Sequence, residues 1–301
     1  MKVHELIIIG GGPAGITAAI YSARKQMDFT ILTKNIGGQA SLSWEIENYI
    51  GYQFITGPDL VEKFIQHIKE FNVDIKENQE VIRISKEGSI FNVKTVKDDY
   101  YGKTVIIATG RRSKKLNIRG EEEFRNKGIV YCATCDAPLF RDKEVAVIGG
   151  GNSGLDSVLQ LSRIARKIYL IEIKDDLTGD KIVIDKIKGI EKVEIMTGTE
   201  VKEIYGGKFV EGIKVNKNGK DIDIRVDGVF IEIGSEPNAE FIDFVEKNEY
   251  GEVIVDCKNR TSYPGIFAAG DVTNVFAKQI IVACGEGAKA SISSFEYLKY
   301  I

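Results

Sequence analysis

The sequence predicts an α/β fold made of two units of one design, each a parallel sheet with helices and a small β-meander. Two observations support this prediction. An apolar run at residues 5–9 leads directly into a glycine-rich loop and a helical pattern, and the same order recurs from residue 143. Each copy then continues through a second strand, alternating residues and another apolar run that ends in glycine. Runs that are apolar at every position are typical of strands buried on both faces.

The composition is that of an ordinary globular chain and argues against several kinds of partner. Hydrophobic residues make up 43% and charged residues 28%, and the net charge is −3 with both signs interspersed. The absence of a basic block argues against nucleic acid binding. No apolar run is long enough to span a bilayer, and the first residues lack the pattern of a signal peptide. We therefore expect a cytoplasmic protein without membrane contact.

The first glycine-rich loop, Gly10-Gly-Gly-Pro-Ala-Gly15, has the spacing of a dinucleotide fingerprint. It lies between the strand at 5–9 and a predicted helix at 16–24. Glycine permits a tight turn and a close approach to a pyrophosphate, which the N–H groups at the helix start attract. A tight turn without a ligand is the alternative. The predicted contacts to the first dinucleotide are Gly10, Gly12, Pro13, Ala14 and Gly15.

The acidic residue that normally holds the ribose is missing from the first unit. The fingerprint expects it about 20 residues after the loop, at the end of the second strand. The strand at 29–33 instead leads into Lys34 and Asn35. We therefore expect Lys34 or the backbone to supply the ribose contact.

The second glycine-rich loop, Gly149-Gly-Gly-Asn-Ser-Gly154, lies between a predicted strand at 143–148 and a predicted helix at 155–166. Here the acid is present, because Glu172 lies 23 residues after Gly149. A carboxylate at this position binds an unphosphorylated adenosine ribose. The predicted contacts to the second dinucleotide are Gly149, Gly151, Asn152, Ser153, Gly154 and Glu172.

Two polar stretches, at 111–118 and 234–240, are predicted linkers that place the second unit inside the first. The predicted domains are residues 1–113 with 241–301 for the first dinucleotide, and residues 114–240 for the second. Both are expected to be Rossmann-like.

A pair of cysteines with redox spacing, Cys132 and Cys135, lies in the inserted domain. Thiolate attack on a substrate disulfide forms a mixed disulfide, which the second thiol resolves. Asp136 follows directly and is a candidate proton donor or acceptor for the leaving thiolate, or else a turn residue. Half of a zinc site is the alternative for the pair, but it needs further ligands. Cys257 and Cys284 are isolated and are expected to be packed thiols, and no metal site is predicted.

Two dinucleotide sites and a dithiol in one chain predict an electron relay. A flavin accepts a hydride from a nicotinamide and passes the electron pair to a disulfide. The inserted domain carries both the cysteine pair and the nicotinamide site, and the flavin and a protein disulfide must each reach the pair in turn. We therefore expect the domains to rotate about the two linkers.

Five motifs are more specific than the glycine loops alone. They are Gly37-Gly-Gln, Glu47-Asn-Tyr, Cys132-Ala-Thr-Cys-Asp136, Val145-Ala-Val-Ile-Gly-Gly-Gly-Asn-Ser-Gly154 and Lys278-Gln-Ile-Ile-Val-Ala-Cys-Gly-Glu-Gly-Ala-Lys-Ala-Ser291. With them the chain resembles the low-molecular-weight thioredoxin reductases, and more closely the flavoprotein component of alkyl hydroperoxide reductase. The resemblance covers essentially all 301 residues.

The resemblance implies a homodimer with tightly bound FAD in the first domain and an activity as a disulfide reductase. Cys135 would face the flavin ring, Cys132 would attack the disulfide of the partner, and Asp136 would be the acid–base residue. Cys284 would lie near the flavin edge, which leaves its reactivity open. Together with the strand ends at Thr109, Gly110 and Gly270, the predicted FAD contacts are Gly38, Gln39, Asn48, Asp271, Lys278, Gln279 and Ile280.

The departures from the family pattern concern the donor and the acceptor. Reductases specific for NADPH carry a His-Arg-Arg motif and a further Arg where this chain holds Glu172, Ile173, Lys174 and Thr178. A 2′-phosphate would meet a carboxylate without a guanidinium clamp, so NADH is expected over NADPH. The peroxide-reductase flavoprotein also has an extra N-terminal thioredoxin-like region that this sequence lacks. The expected acceptor is therefore a separate thioredoxin or a glutaredoxin-like protein.

Three alternatives remain at the level of sequence. They are a reductase fed by ferredoxin or a deazaflavin, a thiol oxidase of the same fold, and a flavin-bound redox sensor without turnover. The intact second loop with Glu172 argues against the first, and the cysteine pair with Asp136 argues against the sensor.

Overall fold

The computed structural model describes residues 2–42, 46, 48–131 and 133–301, with the backbone alone at residues 42, 134 and 135. The chain divides into two compact units. Unit 1 comprises the N-terminal residues through Leu42 together with Ile46–Arg112 and Glu236–Ile301, and unit 2 comprises Ser113–Ser235.

The described elements follow in chain order. The helices are α1 (Pro13–Arg24), α2 (Gly57–Lys69), α3 (Ala133–Asp136), α4 (Asn152–Leu161), α5 (Lys181–Lys188) and α6 (Ile280–Leu298), with short 3₁₀ turns at Gly38–Leu42, Ala137–Phe140 and Gly270–Val272. The strands are β1 (Val3–Gly11), β2 (Phe29–Ile36), β3 (Ile75–Lys76), β4 (Val81–Glu87), β5 (Ile90–Thr95), β6 (Asp99–Ile107), β7 (Arg111–Ser113), β8 (Ile129–Val130), β9 (Glu144–Ile148), β10 (Lys167–Ile171), β11 (Val193–Met196), β12 (Thr199–Gly206), β13 (Val210–Lys217), β14 (Lys220–Arg225), β15 (Gly228–Ile231), β16 (Ser235–Pro237) and β17 (Ile266–Ala268).

The main sheet of unit 1 has the strand order β3-β2-β1-β6-β5-β4, and β17 also pairs with β6. β1, β2, β3, β6 and β17 run parallel, whereas β4, β5 and β6 form an antiparallel meander. The carboxyl ends of β1, β6 and β17 therefore lie side by side. This edge is where ligands bind in open parallel sheets.

The strand β6 differs from the prediction. The alternating residues at 81–101 predict a small meander and the apolar run from Thr104 predicts a separate strand, but Asp99–Ile107 is one continuous strand. Its first half pairs antiparallel with β5, and its second half pairs parallel with β1 and β17. The change from alternating to continuous apolar residues reflects the change from a half-covered to a fully covered sheet.

The unit 1 sheet is buried on both faces, as the continuous apolar run of β1 predicts. Leu6 and Ile8 pack into the cluster that contains residues of α1 and α6, whereas Ile7 and Ile9 pack into the cluster on the opposite face. All four are at most 2% exposed. Burial of each such side chain stabilises the fold by about 2 kcal/mol.

Unit 2 repeats the design with fewer strands. Its parallel sheet has the order β11-β10-β9-β15-β8, and β12, β13 and β14 form a separate antiparallel sheet. The helices α4 and α5 cover one face through a cluster that includes Leu155 and Ile187. The antiparallel sheet contributes Ile213 and Val215 to the cluster that includes Ile148.

Some element boundaries in unit 2 also differ from the prediction. The helix after the second glycine loop ends at Leu161 rather than at residue 166, because residues 162–164 form a turn in which Ser162 Oγ donates to the Leu159 carbonyl. The helix α5 was not predicted from the sequence. It begins after Asp180, whose carboxylate caps it by accepting a hydrogen bond from the Ile182 N–H at 2.8 Å.

The chain segments between the units contain β7 and β16, which form a two-stranded sheet. Within unit 1, the Arg112 guanidinium forms ion pairs with the Glu236 and Glu240 carboxylates. Among the described residues, no helix combines the length and apolarity needed to cross a bilayer.

Candidate dinucleotide sites and redox segment

The first glycine-rich loop is shaped by backbone contacts that exclude side chains. Gly10 has φ +114°, and a Cβ atom added there would lie 2.2 Å from the Ala108 carbonyl oxygen. A Cβ atom at Gly15 would lie 1.9 Å from the Gly10 carbonyl oxygen. Both positions therefore require glycine so that β1, β6 and α1 can approach closely.

The middle glycine of the first loop has a different role. A Cβ atom added at Gly12 would meet nothing within 4 Å, so this glycine borders open space. Gly12 is also the N-cap of α1, and no side chain caps the helix. Uncapped N–H groups beside an open, side-chain-free surface fit a dinucleotide pyrophosphate. Pro13, at the first helical position, is compatible with this geometry because it has no N–H to satisfy.

Other predicted FAD residues surround the first loop. A Cβ atom at Gly38 would lie 3.3 Å from the Gly12 Cα atom, and one at Gly270 would lie 3.0 Å from the Ala14 Cβ atom. The carboxyl end of β17 and the turn after β2 therefore both border the loop. The fold brings Gly38 and Gly270 together although they are far apart in sequence.

The ribose position of the first unit contains no carboxylate, in line with its sequence. The Thr33 hydroxyl donates to the Asn35 carbonyl at 2.6 Å, so this hydroxyl already has a hydrogen-bond partner two residues away. The Lys34 ammonium lies 3.2 Å from the Glu80 carboxylate, and both side chains are more than half exposed. An exposed ion pair holds Lys34 only weakly, and its predicted ribose contact stays a prediction.

Three more of the predicted FAD residues make specific contacts. The Asn48 amide donates to the Gln279 side-chain oxygen at 2.9 Å, which joins two of the predicted contacts. The Gln39 amide donates to the Arg111 carbonyl at 3.1 Å. Gln279 is the N-cap of α6, so Ile280 begins that helix.

The strand end at Thr109 and Gly110 is held by Asn238. The Thr109 hydroxyl donates to the Asn238 carbonyl at 2.6 Å, and the Asn238 amide donates back to the Thr109 carbonyl at 2.9 Å. The Asn238 N–H also donates to the Gly110 carbonyl at 2.9 Å. These contacts fix the carboxyl end of this part of the sheet.

A charged cluster that the sequence did not indicate lies among the predicted FAD residues. The Glu252 carboxylate accepts from the Arg111 guanidinium at 2.6 Å and lies 3.0 Å from the Lys278 ammonium. Burial raises the pKa of the Asp271 carboxyl, whereas Lys278 and Arg111 lower it in part. Glu252 could not be predicted because its partners are 141 residues before it and 26 residues after it in the sequence.

Cys284 lies in α6 and is buried, as predicted for a packed thiol. The Tyr49 hydroxyl lies 3.8 Å from its sulfur. Burial raises the pKa of the Cys284 thiol, which disfavours its reactive thiolate form. Cys257, by contrast, is exposed, so the prediction of a packed thiol is wrong there.

The second glycine-rich loop repeats the backbone of the first. Gly149 has φ +120°, and a Cβ atom there would lie 2.4 Å from the Glu232 carbonyl oxygen. A Cβ atom at Gly154 would lie 1.8 Å from the Gly149 carbonyl oxygen. A Cβ atom at Gly151, the N-cap of α4, would meet only the Thr178 hydroxyl, at 3.9 Å. The open position and the uncapped helix start again fit a pyrophosphate.

Glu172 lies beside this loop and is 7% exposed. Its carboxylate accepts hydrogen bonds from the Gly150 N–H at 2.6 Å and from the Lys174 N–H at 2.9 Å. Each carboxylate oxygen has two lone pairs, so acceptor capacity is left for ribose hydroxyls. Asn152, at the first position of α4, accepts from the Asp180 N–H at 2.7 Å and thereby holds the segment before α5.

The redox segment is described in part. Cys132 lies outside the described residues, and Cys135 lies in α3, where only its backbone is described. Asp136, the last residue of α3, is half-buried, and this burial raises the pKa of its carboxyl to about 6. A carboxyl that titrates near neutrality can hold or release a proton at its carboxylate oxygens.

Sequence reasoning missed Glu232, which follows β15 directly. Its carboxylate accepts hydrogen bonds from the Ala133 N–H at 3.2 Å, from the Ser153 hydroxyl at 2.5 Å and from the Ser157 hydroxyl at 2.8 Å. It therefore contacts both the redox helix α3 and the helix of the second glycine loop. The one available signal was an acidic residue within the apolar run Val229-Phe-Ile-Glu-Ile233, at the carboxyl end of a parallel strand.

No group of three or more His, Cys, Asp or Glu side chains in the described part of the chain could hold a metal ion. His4, one of the two histidines, instead lies with Nδ1 3.2 Å from the Asp28 carboxylate.

Comparison with known proteins defines the class to which this fold and these loops belong. A family model described as pyridine nucleotide-disulphide oxidoreductase matches residues 4–287. The chain therefore belongs to the pyridine nucleotide-disulphide oxidoreductases, and the resemblance inferred from the motifs is confirmed.

Individual relatives narrow the comparison. The chain is 40% identical to the F component of alkyl hydroperoxide reductase from Pseudomonas putida over 99% of its length, and 38% identical to NADH dehydrogenase from Bacillus subtilis over 98% of its length. It covers 58% of each of these two relatives, so it spans less than two thirds of their length. The crystal structure of thioredoxin reductase from Streptococcus pyogenes superposes with a TM-score of 0.82 at 36% identity, and the match covers 99% of both chains. This likeness confirms the predicted fold class of an α/β protein with two parallel sheets.

Proposed function

We propose that the chain is a flavin-dependent disulfide reductase that passes electrons from NADH through FAD to Cys132 and Cys135, and from there to a thioredoxin- or glutaredoxin-like protein. One observation carries the proposal. Each unit has its own glycine-rich loop with an open central glycine at an uncapped helix start, and the second of these units also contains the cysteine pair.

Unit 1 is the proposed FAD site. Gly10 and Gly15 shape the loop, and Gly12 leaves the open surface for the pyrophosphate at the start of α1. FAD, when bound, supplies the two-electron chemistry that links a nicotinamide to a disulfide. The residues proposed to line the rest of the site are Lys34, Gly38, Gln39, Asn48, Thr109, Gly110, Gly270, Asp271, Lys278, Gln279 and Ile280.

Unit 2 is the proposed NADH site. Gly151 leaves open surface at the start of α4, with Asn152 and Ser153 in the first turn. The Glu172 carboxylate would accept hydrogen bonds from the adenosine ribose hydroxyls. A 2′-phosphate would bring a second anion to this buried carboxylate, whereas the neighbouring Ile173 offers no positive charge. This arrangement supports NADH as the donor, as does the name of the Bacillus subtilis relative.

The cysteines and Asp136 have separate proposed roles. Cys132 attacks the disulfide of the acceptor protein, and Cys135 resolves the mixed disulfide, so that the acceptor leaves as a dithiol and the chain regains its own disulfide. Asp136 holds the proton that the leaving thiolate of the acceptor takes up. Burial raises its pKa to about 6, which favours the protonated carboxyl that this step requires.

Anaerobic mixing of the flavin-loaded protein with NADH tests the donor. We expect rapid bleaching of the flavin band with NADH and a lower kcat/KM with NADPH. A kcat/KM that favours NADPH would contradict the assignment of Glu172. Absence of bleaching by either nucleotide would favour a reductase fed by ferredoxin or a deazaflavin.

Substitution of the cysteines tests the acceptor step. Cys132→Ser and Cys135→Ser are each expected to abolish reduction of thioredoxin or glutaredoxin-like proteins, while NADH still bleaches the flavin. Cys257→Ser is the matched control, because Cys257 is exposed and lies in unit 1. Full acceptor reduction by Cys132→Ser would rule out the proposed route. Oxygen consumption at the expense of small thiols would instead indicate an oxidase.

A further inference from the structure

The Glu232 carboxylate joins two parts of unit 2 that the proposed reaction uses. It accepts one hydrogen bond from the backbone of α3 and two from hydroxyl groups of α4. The α4 donors, Ser153 and Ser157, lie on successive turns, and the Ser157 hydroxyl also lies 2.9 Å from the Ser153 carbonyl. The strand β15 presents the carboxylate to both helices from its carboxyl end.

This contact is not explained by stability alone. Burial raises the pKa of Glu232, and the hydrogen bonds from Ser153, Ser157 and Ala133 lower it only in part. Asp156, also on α4, raises it further. Burial of this carboxylate therefore carries a desolvation cost that its hydrogen bonds offset only in part.

The α3 end of the contact lies within the redox segment. Ala133 is one of the two residues between Cys132 and Cys135. A disulfide between these cysteines closes a small ring that includes the Ala133 backbone, and reduction opens it. The hydrogen bond from the Ala133 N–H to Glu232 is therefore a point at which the redox state of the pair can act on this carboxylate.

The α4 end of the contact lies within the proposed dinucleotide site. The Ser153 hydroxyl donates to Glu232 and so is not available to donate to a phosphate at the same time. A pyrophosphate at the start of α4 either competes for this hydroxyl or adds a like charge near the carboxylate. In both cases the ligand changes how strongly the Glu232 carboxylate accepts the hydrogen bond from the Ala133 N–H.

We propose that Glu232 is a positioning residue that couples dinucleotide binding at the second glycine-rich loop to the redox state of the Cys132–Cys135 segment. This inference rests on the proposed function of unit 2 as the NADH site. The coupling is reciprocal, because a ligand that responds to the state of the ring must alter the ring equilibrium by the same factor. Dinucleotide binding would thus shift the equilibrium between the open and closed forms of the cysteine ring through the Glu232 side chain.

A double-mutant cycle with ADP-ribose tests the coupling. ADP-ribose carries the adenosine ribose and the pyrophosphate but cannot transfer a hydride. Its Kd is measured by calorimetry on the flavin-loaded protein with the disulfide closed and on the Cys132→Ser/Cys135→Ser variant, which cannot close the ring. We expect the two values to differ by about fivefold, at the low end of typical couplings. With Glu232→Ala in both backgrounds, the ratio is expected to fall to one.

Two further variants separate positioning from a loss of structure. Glu232→Gln keeps an oxygen for the Ala133 N–H and an NH2 group that can donate to Ser153, so it is expected to keep the melting temperature. It removes the negative charge and frees the Ser153 hydroxyl hydrogen, so the ratio is expected to fall towards one, as with Glu232→Ala. Glu194→Ala removes an exposed carboxylate on β11 that pairs with Lys167 at 2.8 Å, and it is expected to leave the ratio unchanged. A variant that merely destabilises unit 2 would lower the melting temperature and weaken ADP-ribose in both redox backgrounds alike.

The outcomes distinguish this inference from the proposed function. Tight ADP-ribose binding with the same Kd in both redox backgrounds would overturn the coupling and leave the reductase intact. Coupling in a protein that reduces no protein disulfide would overturn the reductase and support the role of Glu232. Absence of ADP-ribose binding would overturn both.

Discussion

The two glycine-rich loops have nearly the same backbone and different chemical surroundings. Gly10 and Gly149 have φ angles of +114° and +120°. The contacts that exclude a side chain at Gly15 and Gly154 are equally close, at 1.9 and 1.8 Å. A dinucleotide loop is thus specified by backbone packing that has no preference for one nucleotide over another.

The loops differ in the polar groups around them. In unit 1 the Thr33 hydroxyl at the end of β2 donates to the Asn35 carbonyl. The helix α6 also packs against the loop there, because a Cβ atom at Gly287 would lie 2.1 Å from the Ala14 carbonyl oxygen. In unit 2 two carboxylates, Glu172 and Glu232, contact the loop or its helix. The comparison teaches that, if the proposed function holds, selectivity and coupling are carried by side chains added to a common backbone.

The largest expected effect comes from breaking the shared backbone. Gly15→Ala and Gly154→Ala place a Cβ atom against backbone oxygen and are expected to destabilise their units by about 3 kcal/mol or more. Gly12→Ala is the matched control, because its φ of −81° suits alanine and the position is open. It should leave the unfolding temperature of the apoprotein unchanged and, because it weakens FAD binding, lower only the unfolding temperature measured with FAD. Thermal unfolding with and without FAD measures both, and equal melting temperatures for Gly15→Ala and Gly12→Ala would contradict the packing argument.

Removal of the second loop's carboxylate sharpens the contrast between the loops. Glu172→Ala leaves the Gly150 and Lys174 N–H groups without their acceptor and removes the proposed ribose contact. We expect kcat/KM with NADH to fall by about 10- to 50-fold, in keeping with the loss of hydrogen bonds to a charged group. The value with NADPH should fall less, because the repulsion is relieved. An unchanged ratio of the two values would separate Glu172 from nucleotide selection.

The half-buried carboxyl of unit 2 provides a pH-dependent test. The folded-state pKa of Asp136 is about 6, above the ordinary value of 3.8, so folding disfavours its ionised form. Stability is therefore lost as the pH rises through this range, and Asp136→Asn avoids that loss. We expect the variant to gain about 1 kcal/mol over the wild type between about pH 4.5 and 7.5, after discounting for solvent screening. Denaturant unfolding of both proteins at both pH values measures this gain. The same difference in free energy of unfolding at both pH values would indicate that the pKa of Asp136 is not raised.

The smallest expected effect concerns the residue that replaces the acid in unit 1. Lys34→Ala removes an exposed ion pair with Glu80, which is expected to change the free energy of unfolding by less than about 0.5 kcal/mol. If Lys34 reaches the ribose, the Kd of FAD rises about threefold, far less than NADH weakens on loss of Glu172. Titration of the apoprotein with FAD measures this. An unchanged Kd would assign the ribose contact to the backbone.

The elements that the sequence predicts well are those that follow from local rules. The glycine loops require strand, glycine spacing and helix in immediate succession, and Glu172 lies at a set distance from Gly149. The structure confirms both strand–loop–helix units. Every part of the signal lies within about 25 residues of sequence, which is less than one βαβ unit. The continuous strand β6 was missed because its pattern changes halfway, from one covered face to two.

The parts of the site that escaped prediction depend on contacts distant in sequence. Glu232 meets Ala133 across 99 residues, and Glu252 meets Arg111 across 141. A single acidic residue in a mostly apolar run carries no information about its partners. Asn48 and Gln279, which are hydrogen-bonded across 231 residues, were assigned to one site only through the family resemblance, and their pairing was not predicted.

The close packing of β1 against the C-terminal elements has a consequence for biosynthesis. Phe267, Ala283 and Ala290 belong to the same buried cluster as Leu6 and Ile8, but they follow all of unit 2 in the sequence. On the ribosome, Ser113–Ser235 is translated after the first strands and before these C-terminal elements. This takes roughly 6 to 25 seconds at ordinary rates of elongation. Unit 2 is contiguous over this range and can fold in that interval. The nascent chain is therefore expected to expose the sheet face formed by Leu6 and Ile8, and the part of β6 that pairs with β17, until β17 and α6 emerge.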